Sequence, residues 1–146
     1  MMKRMLFSVA LLMAAGTVAL LGSPANTQTL TPITLTNAIQ DQISGSQWDG
    51  EWYGGGFGGD AGLYLVIGYG HADARFSIQS DPVDTTFRAR GTVKGNTMKL
   101  KTGRINVISL SLYREEGKLV LKGEYEVMSG EYSGNTGTYY FVKRAE

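Results

Sequence analysis

His71-Ala72-Asp73-Ala74-Arg75-Phe76-Ser77-Ile78 alternates polar and apolar side chains without a break. In an extended chain successive side chains point to opposite faces. This run therefore puts Ala72, Ala74, Phe76 and Ile78 on one side, and His71, Asp73, Arg75 and Ser77 on the other. Helical winding would scatter both sets around the axis. The stretch reads as a strand with one dry and one wet face.

The same signature recurs downstream. Phe87, Ala89, Gly91 and Val93 oppose Arg88 and Arg90, and Met98 and Leu100 oppose Lys99 and Lys101. Leu119, Leu121, Gly123, Tyr125 and Val127 oppose Lys118, Lys122, Glu124 and Glu126. Together with runs rich in Val, Ile, Tyr, Phe and Thr, the pattern predicts eight strands, over 49–54, 62–68, 71–78, 85–93, 97–102, 105–113, 118–128 and 136–143. The links between them are short. Tyr69-Gly70, Lys94-Gly95-Asn96 and Glu115-Glu116-Gly117 read as hairpin turns, and Ser80-Asp81-Pro82 as another. Short links make successive strands antiparallel neighbours. Closing such a meander removes its exposed edges, so the expected fold is all-β, an eight-stranded antiparallel up-and-down barrel over residues 48–146.

Ahead of the barrel the composition changes twice. Lys3 and Arg4 precede an apolar run over residues 6–21, and Ser23-Pro24-Ala25 places small residues where a signal peptidase reads. Residues 1–25 are expected to be a secretory signal cleaved after Ala25, which implies a periplasmic or secreted protein. The run is short for a bilayer span, and the pattern's alternative is an uncleaved N-terminal anchor. No membrane-spanning helix is expected after cleavage. Residues 26–47 are rich in Thr, Gln, Ser and Asn and read as a flexible arm or a short helix. In the helical reading Thr36 is the cap, and Ile39 and Ile43 share a face.

Charge and cysteine content narrow the function. The chain carries 14 Lys and Arg against 13 Asp and Glu, and removing the signal takes two bases and no acid. The near-neutral remainder gives no reason to expect a nucleic-acid partner. With no cysteine, thiol catalysis, thiolate metal sites and lipoprotein anchoring are excluded. Strand faces carrying Lys99, Lys101, Glu124 and Glu126 argue against an outer-membrane barrel, whose outer band must be apolar.

Gly50-Glu51-Trp52-Tyr53, a Gly-x-Trp-Tyr opening the first strand, resembles the corresponding motif of the calycins, the superfamily of lipocalins, avidins and fatty-acid-binding proteins. The resemblance covers roughly residues 48–144. It implies a barrel end-plug made by Gly50, Trp52 and Arg144 (or Lys143), with the cation held against the indole face. It also implies a small apolar guest. No tryptophan follows Trp52, so the biotin-stacking residues of avidins have no counterpart here.

The remaining candidates are modest. Gly54-Gly55-Gly56-Phe57-Gly58-Gly59-Asp60 lacks the Gly-Lys-Ser/Thr and the helix of a phosphate-binding loop, and reads as a mobile loop with Phe57 near the barrel mouth. His71, the sole histidine, has no second histidine for a metal site and falls on the outer face. No paired carboxylates lie on the inner face, so neither an enzyme, a cofactor nor a metal is expected. Seven bases and no acid lie from Thr85 to Arg114, namely Arg88, Arg90, Lys94, Lys99, Lys101, Arg104 and Arg114, while acids follow from Glu115 onward. The outer wall is thus polarised. Small inward residues (Ala72, Ala74, Ala89, Gly91 and Gly123) either relieve crowding or leave room for a guest. The expected ligand-binding residues are Trp52, Phe57, Leu65, Phe76, Phe87 and Tyr125. The expected function is non-catalytic binding of a lipid-like or aromatic small molecule. The alternative is a protein–protein module, like an exported protease-inhibitor barrel, docking through its surface or N-terminal arm.

Overall fold

Alternating strands joined by tight turns leave each strand one face to bury, and closure lets all of them bury it together. The computed structural model describes residues 29–80, 83–103 and 106–145. The expected signal segment, 1–25, lies outside these residues, as do Asp81 and Pro82 of the expected turn. The elements are β1 (Thr31–Pro32), α1 (Asn37–Ile43), β2 (Ser46–Gly54), β3 (Phe57–Gly68), β4 (His71–Ser80), β5 (Val83–Lys94), β6 (Thr97–Thr102), β7 (Asn106–Glu115), β8 (Lys118–Val127) and β9 (Thr136–Lys143). Strands β2 to β9 pair antiparallel in sequence order. The β2–β9 ladder closes the cylinder, and β1 adds two residues alongside β7. The described residues form an all-β protein with a closed eight-stranded antiparallel barrel and one short helix.

The alternation read from the sequence sets the two sides of the wall. Trp48, Leu63, Leu65, Phe76, Met98, Leu100, Ile108, Leu110, Leu112, Leu121 and Phe141 are fully buried. Arg75, Arg88, Arg90, Lys99, Lys101, Glu124 and Glu126 stand exposed outside. Burial of each large aliphatic or aromatic side chain stabilises the fold by roughly 1.5–3 kcal/mol relative to exposure. Small inward residues serve curvature more than space. A Cβ at Gly91 would fall on the carbonyl oxygen of Lys99, and one at Gly123 on that of Ser109. Neighbouring backbone occupies those positions, which is how tightly coiled strands pass each other.

Three hairpins turn on two residues with positive φ, Gly55–Gly56 (61° and 82°), Tyr69–Gly70 (53° and 80°) and Glu116–Gly117 (51° and 78°). That combination matches strand twist in two-residue loops. The first of these corrects the expected mobile loop. The glycine-rich run holds only a two-residue turn, and β3 begins at Phe57, with Gly58 and Gly59 paired to Tyr53 and Trp52. Glycine's poor strand propensity hides this locally.

The arm from Thr29 folds back onto the barrel. The Ile33 N–H bonds Leu112 O at 3.0 Å, and the Leu35 N–H bonds Gly95 O at 2.9 Å. Thr36 caps α1, its Oγ1 accepting from the Ile39 N–H at 3.2 Å. Ile43 is fully buried and Ile39 packs against the same core. Gln40, itself buried, donates to Leu35 O at 2.8 Å and accepts from the Gly70 N–H at 3.0 Å. A buried relay joins helix to barrel: Trp48 Nε1 donates to Ser46 Oγ at 2.7 Å, and that hydroxyl donates to Ile43 O. One end of the barrel, carrying the turns at 69–70, 95–96 and 116–117, is thereby closed. The other end, carrying the Gly55–Gly56 turn, is the mouth.

Candidate functional site

Strands crossing at a tilt bring residues distant in sequence to one rim. Trp52 on β2, Ile78 on β4, Phe87 on β5 and Tyr125 on β8 face inward near the mouth, each partly buried. Beneath them lie Phe76, Tyr139 and Phe141. The rings form one connected group. Phe87 stacks on Phe76 with centroids 4.9 Å apart, Phe76 meets Tyr139 at 5.3 Å, and Tyr139 meets Tyr125 at 5.1 Å and Phe141 at 5.4 Å. Offset and tilted pairs at these distances suit the quadrupoles of the rings.

Glycines let the rim close up. The Trp52 N–H donates to Gln79 O at 2.9 Å, in a gap that a Cβ on Gly59 would fill. Tyr125 lies across Gly54 and Gly137, and a Cβ on either would collide with its ring or hydroxyl. Tyr139 is only 5% exposed. No described residue donates to or accepts from its hydroxyl, yet no fully enclosed side-chain oxygen among the described residues lacks a partner. Burial pushes the ionisation of Tyr139 well above the usual tyrosine range, with Tyr125 adding to the effect, and burial raises Tyr125 as well. Both phenols are neutral at any physiological pH, able to donate and accept.

The expected ligand-binding residues divide. Trp52, Phe87 and Tyr125 all lie partly buried toward the mouth, and Phe76 stacks beneath Phe87. Phe57 stands at the rim, 72% exposed. Leu65 does not belong: it pairs with Ser46 in the closed half and is wholly enclosed by core. Only unpacking would let a guest touch it.

The expected end-plug of Gly50, Trp52 and Arg144 does not assemble. Arg144 follows β9 at the closed end, where its N–H bonds Gln47 O at 2.7 Å. Its guanidinium grips Asp49 on the outer wall, Nε donating to Oδ2 at 2.9 Å and Nη2 to Oδ1 at 2.7 Å. That hydrogen bond holds the Asp49 carboxyl below its ordinary value, with partial desolvation opposing it. Trp52 lies toward the mouth, and the tryptophan buried beneath the helix is Trp48. Both indoles face inward, since they are four residues apart on one strand. Gly50 admits a close approach of Tyr140's backbone.

Outside, Asp73 takes two hydrogen bonds from Arg88, which hold its carboxyl below the ordinary value. His71 is exposed at the start of β4 and lines a hollow of about 490 Å³ with Val66, Asp73 and Arg90. Two further outer hollows measure about 410 Å³, beside Glu124 and Thr138, and about 380 Å³, beside Asp49 and Arg144. Among the described residues no three His, Asp or Glu side chains cluster as metal ligands.

Sequence reasoning missed Tyr139 and Phe141. Their alternation was visible in Thr136–Lys143, but Tyr140 and Val142 on the opposite face are also apolar, so the strand's inner side was not marked. No known protein-family model matches the chain, and no curated protein sequence matches it. The closed eight-stranded barrel is compatible with a calycin-like fold.

Proposed function

We propose that the chain is an exported, non-catalytic binding protein of calycin-like type that holds a flat, largely apolar small molecule carrying a polar atom at its mouth, above a filled lumen. The observation that carries this is the Tyr139 phenol, 5% exposed, set in an aromatic group and left without a hydrogen bond from described residues. A hydroxyl in that setting gains most from a guest that brings its own polar atom. The rings supply stacking area, and the two phenols supply orientation.

Titration of the mature protein with a polarity-sensitive naphthalene dye, read by dye and Trp52 emission in a Trp48→Phe background, tests the proposal. Saturable binding abolished by Trp52→Ala or Tyr125→Ala is expected. Emission unchanged up to the dye's solubility limit counts against it. Mass measurement of the exported protein tests cleavage after Ala25, where retention of residues 1–25 is the adverse result.

Docking to another protein is the second reading. Its supporting observation is the filled closed half of the lumen, which leaves little internal volume for a guest. The arm is a poor docking element from Thr29 onward, because it is bonded to its own barrel.

A further inference from the structure

The register of three strands sets opposite charges on either side of a neutral seam. Lys99 on β6 lies opposite Ser109 on β7, and Ser109 lies opposite Glu124 on β8. One pleat along, Lys101, Val107 and Glu126 make the same row. Both lysines and both glutamates are exposed, while Val107 and Ser109 are partly buried. Among the described residues no ion pair engages any of the four charges. Adjacent strands lie about 4.8 Å apart, so each lysine row runs roughly 10 Å from its glutamate row. Across that separation no lysine–glutamate pair forms among the described residues.

The geometry points to a second copy of this chain as the occupant of the face. A two-fold axis along β7 carries β6 of one molecule over β8 of the other and leaves position along the strand unchanged. Lys99 then meets the partner's Glu124 and Lys101 the partner's Glu126, each twice by symmetry. A two-fold axis across the strands sets lysine on lysine and is repelled. The charge order therefore chooses one dimer among the possible face-to-face arrangements. The seam between the charged rows carries only short side chains, so the two walls approach closely.

Barrel strands tilt by about 35–45°, so this axis crosses the two barrels at roughly twice that angle. Contact is confined to a patch around β7, smaller than the ~800 Å² per partner of a standard interface. The dimer is consequently transient and salt-sensitive.

Sedimentation equilibrium of the mature chain at ~20 mM and ~500 mM salt tests this, the two conditions bracketing strong and weak screening. Concentration-dependent dimer at low salt and monomer at high salt is expected. Lys99→Glu with Lys101→Glu, and separately Glu124→Lys with Glu126→Lys, each turn four attractions into four repulsions. Each double variant then associates on the order of a hundredfold more weakly, at a few tenths of a kcal/mol per exposed pair and sign change. Mixing the two variants restores association as a heterodimer. If either double variant fails to fold by circular dichroism, the single changes Lys99→Glu and Glu124→Lys replace it in the same mixing test. A native chain that stays monomeric at ~1 mM in low salt, where even weak pairs associate, overturns the proposal. Folded variants that do not combine on mixing overturn it as well. So does association with anionic vesicles at low salt without any self-association.

Discussion

Replacing Ser46 by alanine removes the middle of the relay that ties α1 to the barrel. The Ser46 hydroxyl accepts from Trp48 Nε1 and donates to Ile43 O, and all three residues are buried, at 3%, 0% and 0% exposure. Alanine leaves an indole N–H and a helix-terminal carbonyl without partners where a single methyl cannot admit water. Each stranded buried polar group costs about 1–3 kcal/mol. Partial relaxation brings the pair to roughly 2–4 kcal/mol, or about 10 °C in Tm for a domain of this size. Urea unfolding followed by tryptophan emission reads the loss, with Trp48→Phe run alone and in combination. Phenylalanine has no N–H to strand, so adding Ser46→Ala to it costs about 1 kcal/mol less than adding it to the native chain. A Ser46→Ala loss under about 0.5 kcal/mol, or strict additivity with Trp48→Phe, would refute the relay as a structural tie.

Three other outcomes follow from the geometry. Tyr139→Phe leaves stability within about 0.5 kcal/mol, because its hydroxyl has no hydrogen-bond partner among the described residues, and weakens binding of the dye several-fold; a large loss of stability in thermal unfolding reveals a hydrogen bond to that hydroxyl. Gly91→Ala drives a methyl group onto Lys99 O and destabilises by about 1–3 kcal/mol in urea, whereas Gly95→Ala, at a φ of +64° in an open turn, costs only about 1 kcal/mol. Asp49 and Asp73 are held below their ordinary pKa, so their stabilising share is complete above the unfolded value near 4 and is lost as pH falls through the lower folded values. Both are largely solvated, so Asp49→Asn with Asp73→Asn flattens the acid limb of a pH–stability curve only slightly. An unchanged or steeper limb contradicts the pairing.

Much of the barrel was legible because several strands, β4, β5, β6 and β8 among them, carry one charged face. In Thr97–Thr102 the lysines alternate with Met98 and Leu100, and the expected span agrees with the observed strand. Thr36, Ile39 and Ile43 likewise carried the helix in their spacing. The pattern failed where chemistry did not alternate. Glycines at 58 and 59 disguised the start of β3, and Tyr140 with Val142 disguised the inner face of β9. Arg144 was drawn toward Trp52 by family resemblance, but strand length sets them at different levels of the barrel, and Asp49 is the nearer partner. The candidate site was half visible. Trp52, Phe87 and Tyr125 stood out as aromatics on inward positions, whereas the role proposed for Tyr139 rests on a buried hydroxyl with no hydrogen bond among the described residues, which no sequence displays.

β1 runs along the last residues of β7, and Arg144 binds back to Gln47, so the chain enters and leaves the barrel at the helix-covered end. A resin bead, reporter domain or surface joined at either point sits on the side away from the aromatic rim. Immobilised through Thr29 or Ala145, the molecule presents its rim to the surrounding solution, and orientation in such a display comes from the fold itself.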